Sequence, residues 1–295
     1  MSAFRAFAAV ALVAASAQAT AAEKIRIGIV TGAAAGPVST AKDKGYFAAE
    51  GIDAELVGFD AAQPVAVAAV SGAVDFGAAD LTSALYTLAT QGVVRLVAGL
   101  TREGPGFHAT AIVVSNQAAS AGLRTFDDLP GHSVALTQLG STFEYAMAIA
   151  CEKRGIDLKT MHFAALQSLT SVASAVAGGQ DGVGVLDAST AQPLVAKGDA
   201  KILAWVGDET TWQVAAVWTS ARTADGRPKV VEGFLRALRK ASHDVRSPGT
   251  DPDDRLDVDD IQRQIDWYRE QGVLRGEVDT DALIDKRYVM PLPSR

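Results

Sequence analysis

Segments that predict β-strands alternate with segments that predict α-helices along most of this chain, and this alternation occurs in two blocks. The first block begins with the strand pattern of residues 24–30 and includes a short strand at 74–78. The pattern restarts near residue 133 and continues to 206. A strand followed by a helix and another strand is typical of β-α-β units, which build parallel sheets covered by helices. We therefore predict an α/β protein with two lobes, each a parallel-rich sheet flanked by helices.

The chain passes between the two blocks twice, near residues 109–115 and again near 212–218. Two crossings between lobes are typical of a hinge, so we expect two hinge strands. We assign residues 23–110 and 215–295 to lobe 1 and residues 111–214 to lobe 2.

Residues 1–22 have the composition of a secretory signal peptide. Arg5 precedes an apolar run from Ala6 to Ala15, and the small-residue pattern Ala17-Gln18-Ala19 follows. A membrane-spanning helix is the alternative, but the run is shorter than the roughly 20 residues needed to cross a bilayer. We therefore expect an exported, soluble protein of the periplasm. The single cysteine, Cys151, lies far from the predicted cleavage site, so we expect no lipid anchor, and its apolar neighbours predict a buried, inert thiol.

Charge and histidine content argue against several classes of function. The chain carries 27 Lys and Arg against 34 Asp and Glu, a net charge of −7. An acidic chain without a basic stripe is a poor partner for nucleic acids. The four histidines are dispersed, at positions 108, 132, 162 and 243, without metal-ligand spacing. We expect no metal, no cofactor and no nucleic-acid partner.

The stretch from Val134 to Pro193 carries the clearest signals of ligand binding. One predicted strand leads to Ser141 and Thr142 at the start of a helix, and a later strand leads to Gln167 at the start of another. Helix N-termini present free backbone N–H groups that can hold a small anionic or polar ligand, although hydroxyls there commonly cap the helix instead. The stretch contains no nucleophile paired with a base, so the pattern favours binding over chemistry.

Two motifs of the first block form a specific combination. Lys44-Gly45-Tyr46-Phe47 continues to Glu50-Gly51-Ile52, and Gly72-Ala73-Val74-Asp75-Phe76-Gly77 follows. With the later segments 127–131 and 228–237, they resemble the periplasmic substrate-binding proteins of ABC importers. The branch is the nitrate, sulfonate, taurine and bicarbonate type, similar to the SsuA and TauA proteins and related to the thiamine-precursor-binding proteins. The resemblance covers nearly the whole chain after residue 22.

The resemblance implies a type II periplasmic-binding-protein fold, with a ligand cleft between the lobes. Open parallel sheets also bind ligands beyond the carboxyl ends of their strands, which agrees with such a cleft. We expect no catalytic residues. The candidate ligand-binding residues lie at or just beyond predicted strand ends: Gly36, Phe59, Gln63, Asp80, Leu81, Arg102, Gln138, Ser141, Thr142, Gln167 and Asp187.

Three of these candidates are charged, and two of them have an alternative role. Asp80 either caps the following helix or faces the cleft, where a carboxylate would repel nitrate or a sulfonate and favour an amine, an amidine or a hydroxyl donor. Arg102, in a predicted loop over 101–108, either pairs with a ligand carboxylate or sulfonate or lies in solvent. Asp187 stands where the family shows a Trp-Asp/Glu-Pro-Tyr turn, but Leu186 and Ala188 replace the tryptophan and the proline, so the resemblance implies a less aromatic wall.

We therefore expect a monomeric receptor for a small organic acid, a sulfonate or an amine-bearing heterocycle. It would close its lobes on the solute and deliver it to an ABC permease in the inner membrane. One alternative is a dehydratase-like periplasmic enzyme on the same scaffold, in which Asp80, Asp187 and His108 supply acid and base groups. Another is a sensory receptor that signals to a membrane partner other than a transporter.

Overall fold

The computed structural model describes residues 22–30, 36–245 and 249–292. The predicted signal peptide, 1–22, lies outside the described residues except for Ala22. Among the helices of this described part, none has the length and apolar character that a membrane span requires.

Ten strands form within the described residues. They are β1 (Glu23–Val30), β2 (Ile52–Phe59), β3 (Phe76–Asp80), β4 (Val94–Glu103), β5 (Thr110–Ser115), β6 (Ser133–Leu136), β7 (His162–Ala165), β8 (Val183–Asp187), β9 (Ala200–Trp205) and β10 (Trp212–Ser220).

The strands alternate with α-helices over most of the same residues. The helices are α1 (Gly36–Asp43), α2 (Tyr46–Ala49), α3 (Ala62–Ser71), α4 (Ser83–Ala89), α5 (Asn116–Ala121), α6 (Thr142–Glu152), α7 (Leu169–Ala177), α8 (Ala188–Ala196), α9 (Val206–Glu209), α10 (Ala221–Gly226), α11 (Pro228–Val245), α12 (Val258–Glu270) and α13 (Thr280–Leu283).

The strands form two five-stranded sheets with the same internal plan. The first sheet has the order β2-β1-β3-β10-β4 and the second has the order β7-β6-β8-β5-β9. In the first, β1 runs parallel to β2 and β3, while β10 is antiparallel to β3 and β4. In the second, β6 runs parallel to β7 and β8, while β5 is antiparallel to β8 and β9. Both sheets are therefore mixed, with three parallel strands each, and the predicted two-lobed α/β fold is confirmed.

Helices cover both faces of each sheet, as β-α-β units require. On one face of the first sheet, Phe234 of α11 stacks on Phe76 of β3 with ring centroids 4.2 Å apart. On one face of the second sheet, Val172 and Val176 of α7 are fully buried in a separate apolar cluster. The remaining faces share one continuous core, which joins Tyr86 of α4 to α6 and α12. The two lobes are thus packed against each other.

The chain moves from one sheet to the other in segments 104–109 and 206–211, between β4 and β5 and between β9 and β10. The predicted division at residues 110 and 214 stays a prediction. One boundary within the first crossing differs from the sequence prediction. The predicted loop over 101–108 begins too early, because β4 continues to Glu103 through pairing with β10.

Candidate ligand-binding site

A pocket lies between the two sheets and takes its wall from both of them. Its volume is ≈ 670 Å³ when the space at its mouth is included. The wall consists of residues at strand ends, helix starts and the two crossings: Val30, Asp60, Ala61, Ala62, Gln63, Asp80, Thr82, Thr101, Ala109, Thr110, Thr137, Gln138, Ser141, Thr142, Phe143, Leu169, Asp187 and Val214.

The position of the pocket follows from the strand directions. The parallel strands of the first sheet end at Val30, Phe59 and Asp80, and those of the second include β8, which ends at Asp187. The carboxyl ends of parallel strands meet at one edge of a sheet, and here both edges face the same space. The predicted cleft at the strand ends is therefore present.

Direct contacts between the lobes close one side of the pocket. The backbone N of Ser83 donates to the carbonyl oxygen of Gly140 at 3.0 Å. The hydroxyl of Thr142 donates to the carbonyl of Leu81. Nε2 of Gln63 donates to the carbonyl oxygen of Leu139, in lobe 2, at 3.0 Å. These bonds tie the starts of α3 and α4 to the start of α6, so the two lobes are in direct contact on this side of the pocket.

The carboxylate of Asp80 lines the pocket and does not cap the helix that follows. Thr82 caps α4, because its hydroxyl accepts from the backbone N of Leu85 at 3.3 Å. Among the described residues, no group donates a hydrogen bond to Asp80. The pKa of Asp80 is raised to about 7. Burial is the largest cause, and the negative charges of Asp187 and Glu103 add to it. Asp80 is thus a carboxyl group in the wall of the pocket that has no hydrogen-bond partner among the described residues.

Asp187 holds the corresponding position in lobe 2 and is bonded locally. One carboxylate oxygen accepts from the backbone N of Thr190 at 3.1 Å, which caps α8. The other accepts from the hydroxyl of Ser189 at 2.6 Å. These bonds fix the carboxylate in the pocket wall.

The start of α6 lines the pocket, and its hydroxyls are engaged. The Ser141 hydroxyl caps α6 by accepting from the backbone N of Glu144 at 3.4 Å, and Thr142 makes the contact to lobe 1 described above. Gln138 Nε2 donates to Gln167 Oε1 at 3.3 Å, whereas Gln138 Oε1 is buried and has no hydrogen-bond partner among the described residues. Gln138 therefore offers the pocket an unpaired acceptor.

Five of the predicted binding residues lie outside the pocket wall, and Arg102 is one of them. Gly36 is the first residue of α1, and Phe59 packs against the core. Leu81 is fully buried, and its backbone rather than its side chain makes the contact between lobes. Gln167 has a left-handed backbone, φ 69°, and is exposed; it contributes by holding the amide of Gln138.

Arg102 also lies outside the pocket wall, because it is part of β4 and not of a loop. It pairs with Gln213 of β10 in the sheet register. Its backbone N donates to the carbonyl of Gly249 at 2.8 Å, and its Nε lies 3.6 Å from a carboxylate oxygen of Asp257. The guanidinium is thus directed to a carboxylate of its own lobe.

The pocket wall also includes residues beyond the eleven candidates, and Asp60 is one that carries a sequence signal. Asp60 follows directly after β2, so the strand-end rule that selected Asp80 applies to it as well. Phe143, Leu169 and Val214 give the pocket an apolar side. Their places depend on how the helices and β10 pack, which no local pattern indicates.

A buried carboxylate joins the two crossings behind the pocket. Glu103, which is 0% exposed, accepts from the backbone N of Ala109 at 3.0 Å, of Thr110 at 2.9 Å and of Gly207 at 2.9 Å. Its second oxygen accepts from Trp212 Nε1 at 3.1 Å. Burial raises the pKa of Glu103, while these N–H donors act in the opposite direction. One side chain thereby bonds to both crossings between the sheets.

The charged residues of the pocket wall are all acidic. They are Asp60, Asp80 and Asp187, and none of the described wall residues is Lys, Arg or His. His108, a candidate acid or base for an enzyme, is not in the wall. It stacks on Trp205 with ring centroids 4.8 Å apart and lies 2.9 Å from Asp208.

A larger and more open cavity of ≈ 1170 Å³ lies between α6, α9 and α12. Two of its acidic side chains already have partners within the chain. Asp260 accepts from Arg263 at 2.7 Å and from the backbone N of Gln213 at 2.7 Å. Glu209 forms two bonds of 2.7 Å with Arg154. The pocket between the strand ends has acceptors without a partner among the described residues, and it takes its wall from both sheets, so it is the candidate site.

Solved structures with this fold are numerous, at low sequence identity. The alkanesulfonate-binding protein SsuA from Xanthomonas axonopodis pv. citri, bound to MOPS, matches with a TM-score of 0.73 and 19% identity, over 89% of this chain and 98% of that chain. The aliphatic sulphonate-binding protein SsuA from Escherichia coli matches with a TM-score of 0.69 and 16% identity, over 92% of this chain and 94% of that chain. The nitrate-binding protein NrtA from Synechocystis PCC 6803 matches with a TM-score of 0.63 and 16% identity, over 89% of this chain and 69% of that chain. These likenesses confirm the periplasmic-binding-protein fold.

No curated protein matches this sequence significantly. The family model described as NMT1/THI5 like matches residues 34–249, which is most of the chain. The predicted resemblance to the SsuA, TauA and NrtA group is confirmed by this match together with the solved structures. The chain belongs to the NMT1/THI5-like family.

Proposed function

We propose that this protein is a periplasmic receptor that binds a small polar organic solute and delivers it to an ABC importer. The observation that carries the proposal is the pocket between the two sheets, whose wall comes from the strand ends of both lobes. A solute that contacts both lobes at once stabilises the closed arrangement over an open one. A permease can then distinguish the loaded receptor from the empty one.

The contacts between the lobes support a closing motion around the pocket. Gly140, Thr142 and Gln63 make their bonds between the lobes at the edge of the pocket, while Glu103 holds the two crossings. Closure at one edge and a fixed pair of crossings are the elements of a hinge. Organic acids, sulfonates and amine-bearing heterocycles are the solute classes to be tested.

A receptor accounts for the site better than an enzyme does. The hydroxyl of Ser141 caps a helix and that of Thr142 bonds a backbone carbonyl. Neither pairs with a basic side chain, as a nucleophile in acyl transfer would. His108, Asp80 and Asp187 were the groups considered for acid and base chemistry, and His108 is held by Asp208 outside the wall.

The test is a ligand screen on residues 23–295, purified, unfolded and refolded to remove any solute carried through purification. A library of organic acids, sulfonates, amines and heterocycles is scanned by thermal unfolding. A true solute at 100 times its Kd adds about 2.7 kcal/mol and raises the midpoint by several degrees. The control is Ala62→Trp, which places an indole in the pocket. A library that stabilises neither protein, or both equally, contradicts the proposal.

A further inference from the structure

The acidic pocket wall restricts the charge of the solute. Asp80 and Asp187 come from different lobes, and the charge of one is close enough to raise the pKa of the other. Glu103 lies behind the wall, and its oxygens are occupied by backbone and indole N–H donors. An anionic solute would therefore enter a field of like charge that no described basic residue of the wall offsets.

The unpaired atoms of the wall are acceptors. Asp80 receives no hydrogen bond from a described residue, and Gln138 Oε1 is buried without a partner. The amide of Gln138 is oriented by its Nε2 bond to Gln167, which leaves the oxygen as the free end. A buried acceptor without a donor, such as Gln138 Oε1, costs about 1–3 kcal/mol. The group that completes this site must donate hydrogen bonds.

We propose that the solute carries a protonated nitrogen with at least two N–H donors, as in an ammonium, amidinium or guanidinium group, and that this group lies between Asp80 of lobe 1 and Asp187 of lobe 2. The apolar part of the solute packs against Phe143, Leu169 and Val214. Sulfonates and inorganic anions are excluded from this site. This inference rests on the proposed receptor function and selects one of its solute classes.

The same arrangement couples charge to closure. Without a cation, the carboxylates of Asp80 and Asp187 repel each other across the cleft and favour separation of the lobes. A nitrogen cation between them replaces repulsion by two charge-assisted hydrogen bonds, one to each lobe. The cation therefore stabilises the closed arrangement in particular, which is the requirement for a ligand that shifts a two-state equilibrium.

The first experiment compares head groups on matched bodies. Ethyl, benzyl and phenethyl compounds, each as the primary ammonium, the amidinium, the carboxylate and the sulfonate, are titrated calorimetrically into the refolded protein at pH 8. The proposal expects binding of cationic members at least tenfold tighter than their anionic partners. Tighter binding of an anionic member overturns the inference and leaves the receptor function standing. If no cation in this panel or in the broader library binds, the inference is likewise overturned; if nothing at all binds, the receptor function fails with it.

The second experiment uses a matched pair of variants that remove one carboxylate each. Asp80→Asn is expected to raise the Kd of the tightest-binding cation of the panel at least tenfold, because a charge-assisted hydrogen bond is lost. Asp53→Asn makes the same change at an exposed residue of β2 outside the pocket wall, where water screens the charge, and is expected to alter Kd by about twofold or less. Circular dichroism verifies folding. Equal effects of the two substitutions contradict the assignment of Asp80.

The third experiment is the pH profile of cation binding. The groups that face Asp80 are Asp187, Glu103 and Tyr268, and burial keeps the pKa of Tyr268 well above its usual value. The affinity should fall as the pH is lowered from 8 to 6, because Asp80 takes up a proton with a pKa of about 7. The affinity should fall by at most about tenfold per pH unit in the wild type, and this fall should be absent in Asp80→Asn. A profile that Asp80→Asn leaves unchanged overturns the inference.

Discussion

Asp80 and Asp187 occupy equivalent positions in the two sheets. Each is the last residue of a strand that pairs in parallel on one side and antiparallel on the other, β3 in the first sheet and β8 in the second. In the antiparallel register Asp80 lies opposite Ala215, and Asp187 lies opposite Thr110. The internal plan shared by the sheets thus places one carboxylate from each lobe at the pocket.

Replacement of Asp80 by Asn should stabilise the protein without solute at pH 8. The pKa of Asp80 is about 7 in the folded chain and about 3.9 in an unfolded one. The folded state therefore binds more protons between these values, so the wild-type free energy of unfolding falls as the pH rises from about 4 to about 7. Asp80→Asn removes this loss of stability. It should raise the free energy of unfolding by about 2–4 kcal/mol at pH 8 and change it little near pH 3.5.

Urea unfolding of both proteins at the two pH values measures this difference. Asp60→Asn, at an exposed residue of the same pocket, is the control and should leave stability nearly unchanged. A wild-type chain that is as stable as Asp80→Asn at pH 8 would show that the carboxylate has a partner.

Replacement of Gly140 by Ala should open the lobes. Gly140 has φ 72°, and an added Cβ would overlap the hydroxyl of Ser83 in the other lobe. Gly131 has φ 83° with nothing within 4 Å of the added atom, so Gly131→Ala is a control with the same backbone strain of about 1 kcal/mol. Solute affinity should fall at least tenfold in Gly140→Ala alone.

Small-angle scattering provides a second measurement for the same pair of glycine variants. The radius of gyration of solute-saturated protein should increase for Gly140→Ala and stay the same for Gly131→Ala. Indistinguishable affinities and radii would mean that the contact between Gly140 and Ser83 does not limit closure.

Replacement of Thr142 by Val tests the hydrogen bond between α6 and lobe 1. The side chain keeps its shape, but the carbonyl of Leu81 loses its donor, which costs about 1 kcal/mol in the closed arrangement. Solute affinity should fall about fivefold. Thr87→Val removes a bond of 2.8 Å to the carbonyl of Ser83 within α4, and calorimetry should show an unchanged Kd for it. The same loss in both variants would refute a role for Thr142 in closure.

Replacement of Glu103 by Gln should destabilise the crossings. The amide nitrogen of Gln would face N–H groups that now donate to a carboxylate, from Ala109, Thr110 and Gly207 or from Trp212. We expect a loss of about 2–4 kcal/mol in the free energy of unfolding, measured by urea denaturation.

Tryptophan fluorescence reports directly on the same change, because the indole of Trp212 bonds to Glu103. The exposed Glu152 is the matched control, and Glu152→Gln should change stability by less than about 0.5 kcal/mol. If Glu103→Gln is as stable as the wild type, the carboxylate is not needed to hold the crossings.

Cys151 should be inert toward thiol reagents in the folded protein. The side chain is fully buried, and burial raises the pKa of the thiol to about 11. At pH 8, Ellman's reagent should therefore react only at the rate of unfolding, and at full rate in urea. Rapid reaction of the native chain would contradict this burial.

Strand periodicity and turn residues were sufficient to predict both sheets and much of the pocket. Asp80, Asp187, Gln138, Ser141 and Thr142 all follow predicted strands, and all line the pocket, although their role in binding stays a prediction. Their shared position has a local cause, since the end of a strand is marked by the residues around it and the edge of a parallel sheet collects such ends.

Arg102 and Leu81 show where the same rule is insufficient. Arg102 follows an apolar run that resembles the end of a strand, but pairing with β10 extends β4 past it, and β10 lies more than 100 positions later in the chain. Leu81 comes directly after β3, but its side chain turns into the core. Pairing between distant segments decided both cases, and no local pattern contains it.

The sequence by itself determined the order of strands and helices, the two-lobed class of the fold and the residues at strand ends, because these depend on periodicity and on the conformational preferences of neighbouring residues. Only the tertiary structure decided that Asp80 has no described donor, that Gln138 offers a free acceptor, and that Glu103 joins the two crossings. Hydrogen-bond partners and charge interactions depend on distances between segments far apart in the chain, and packing of the two lobes sets those distances.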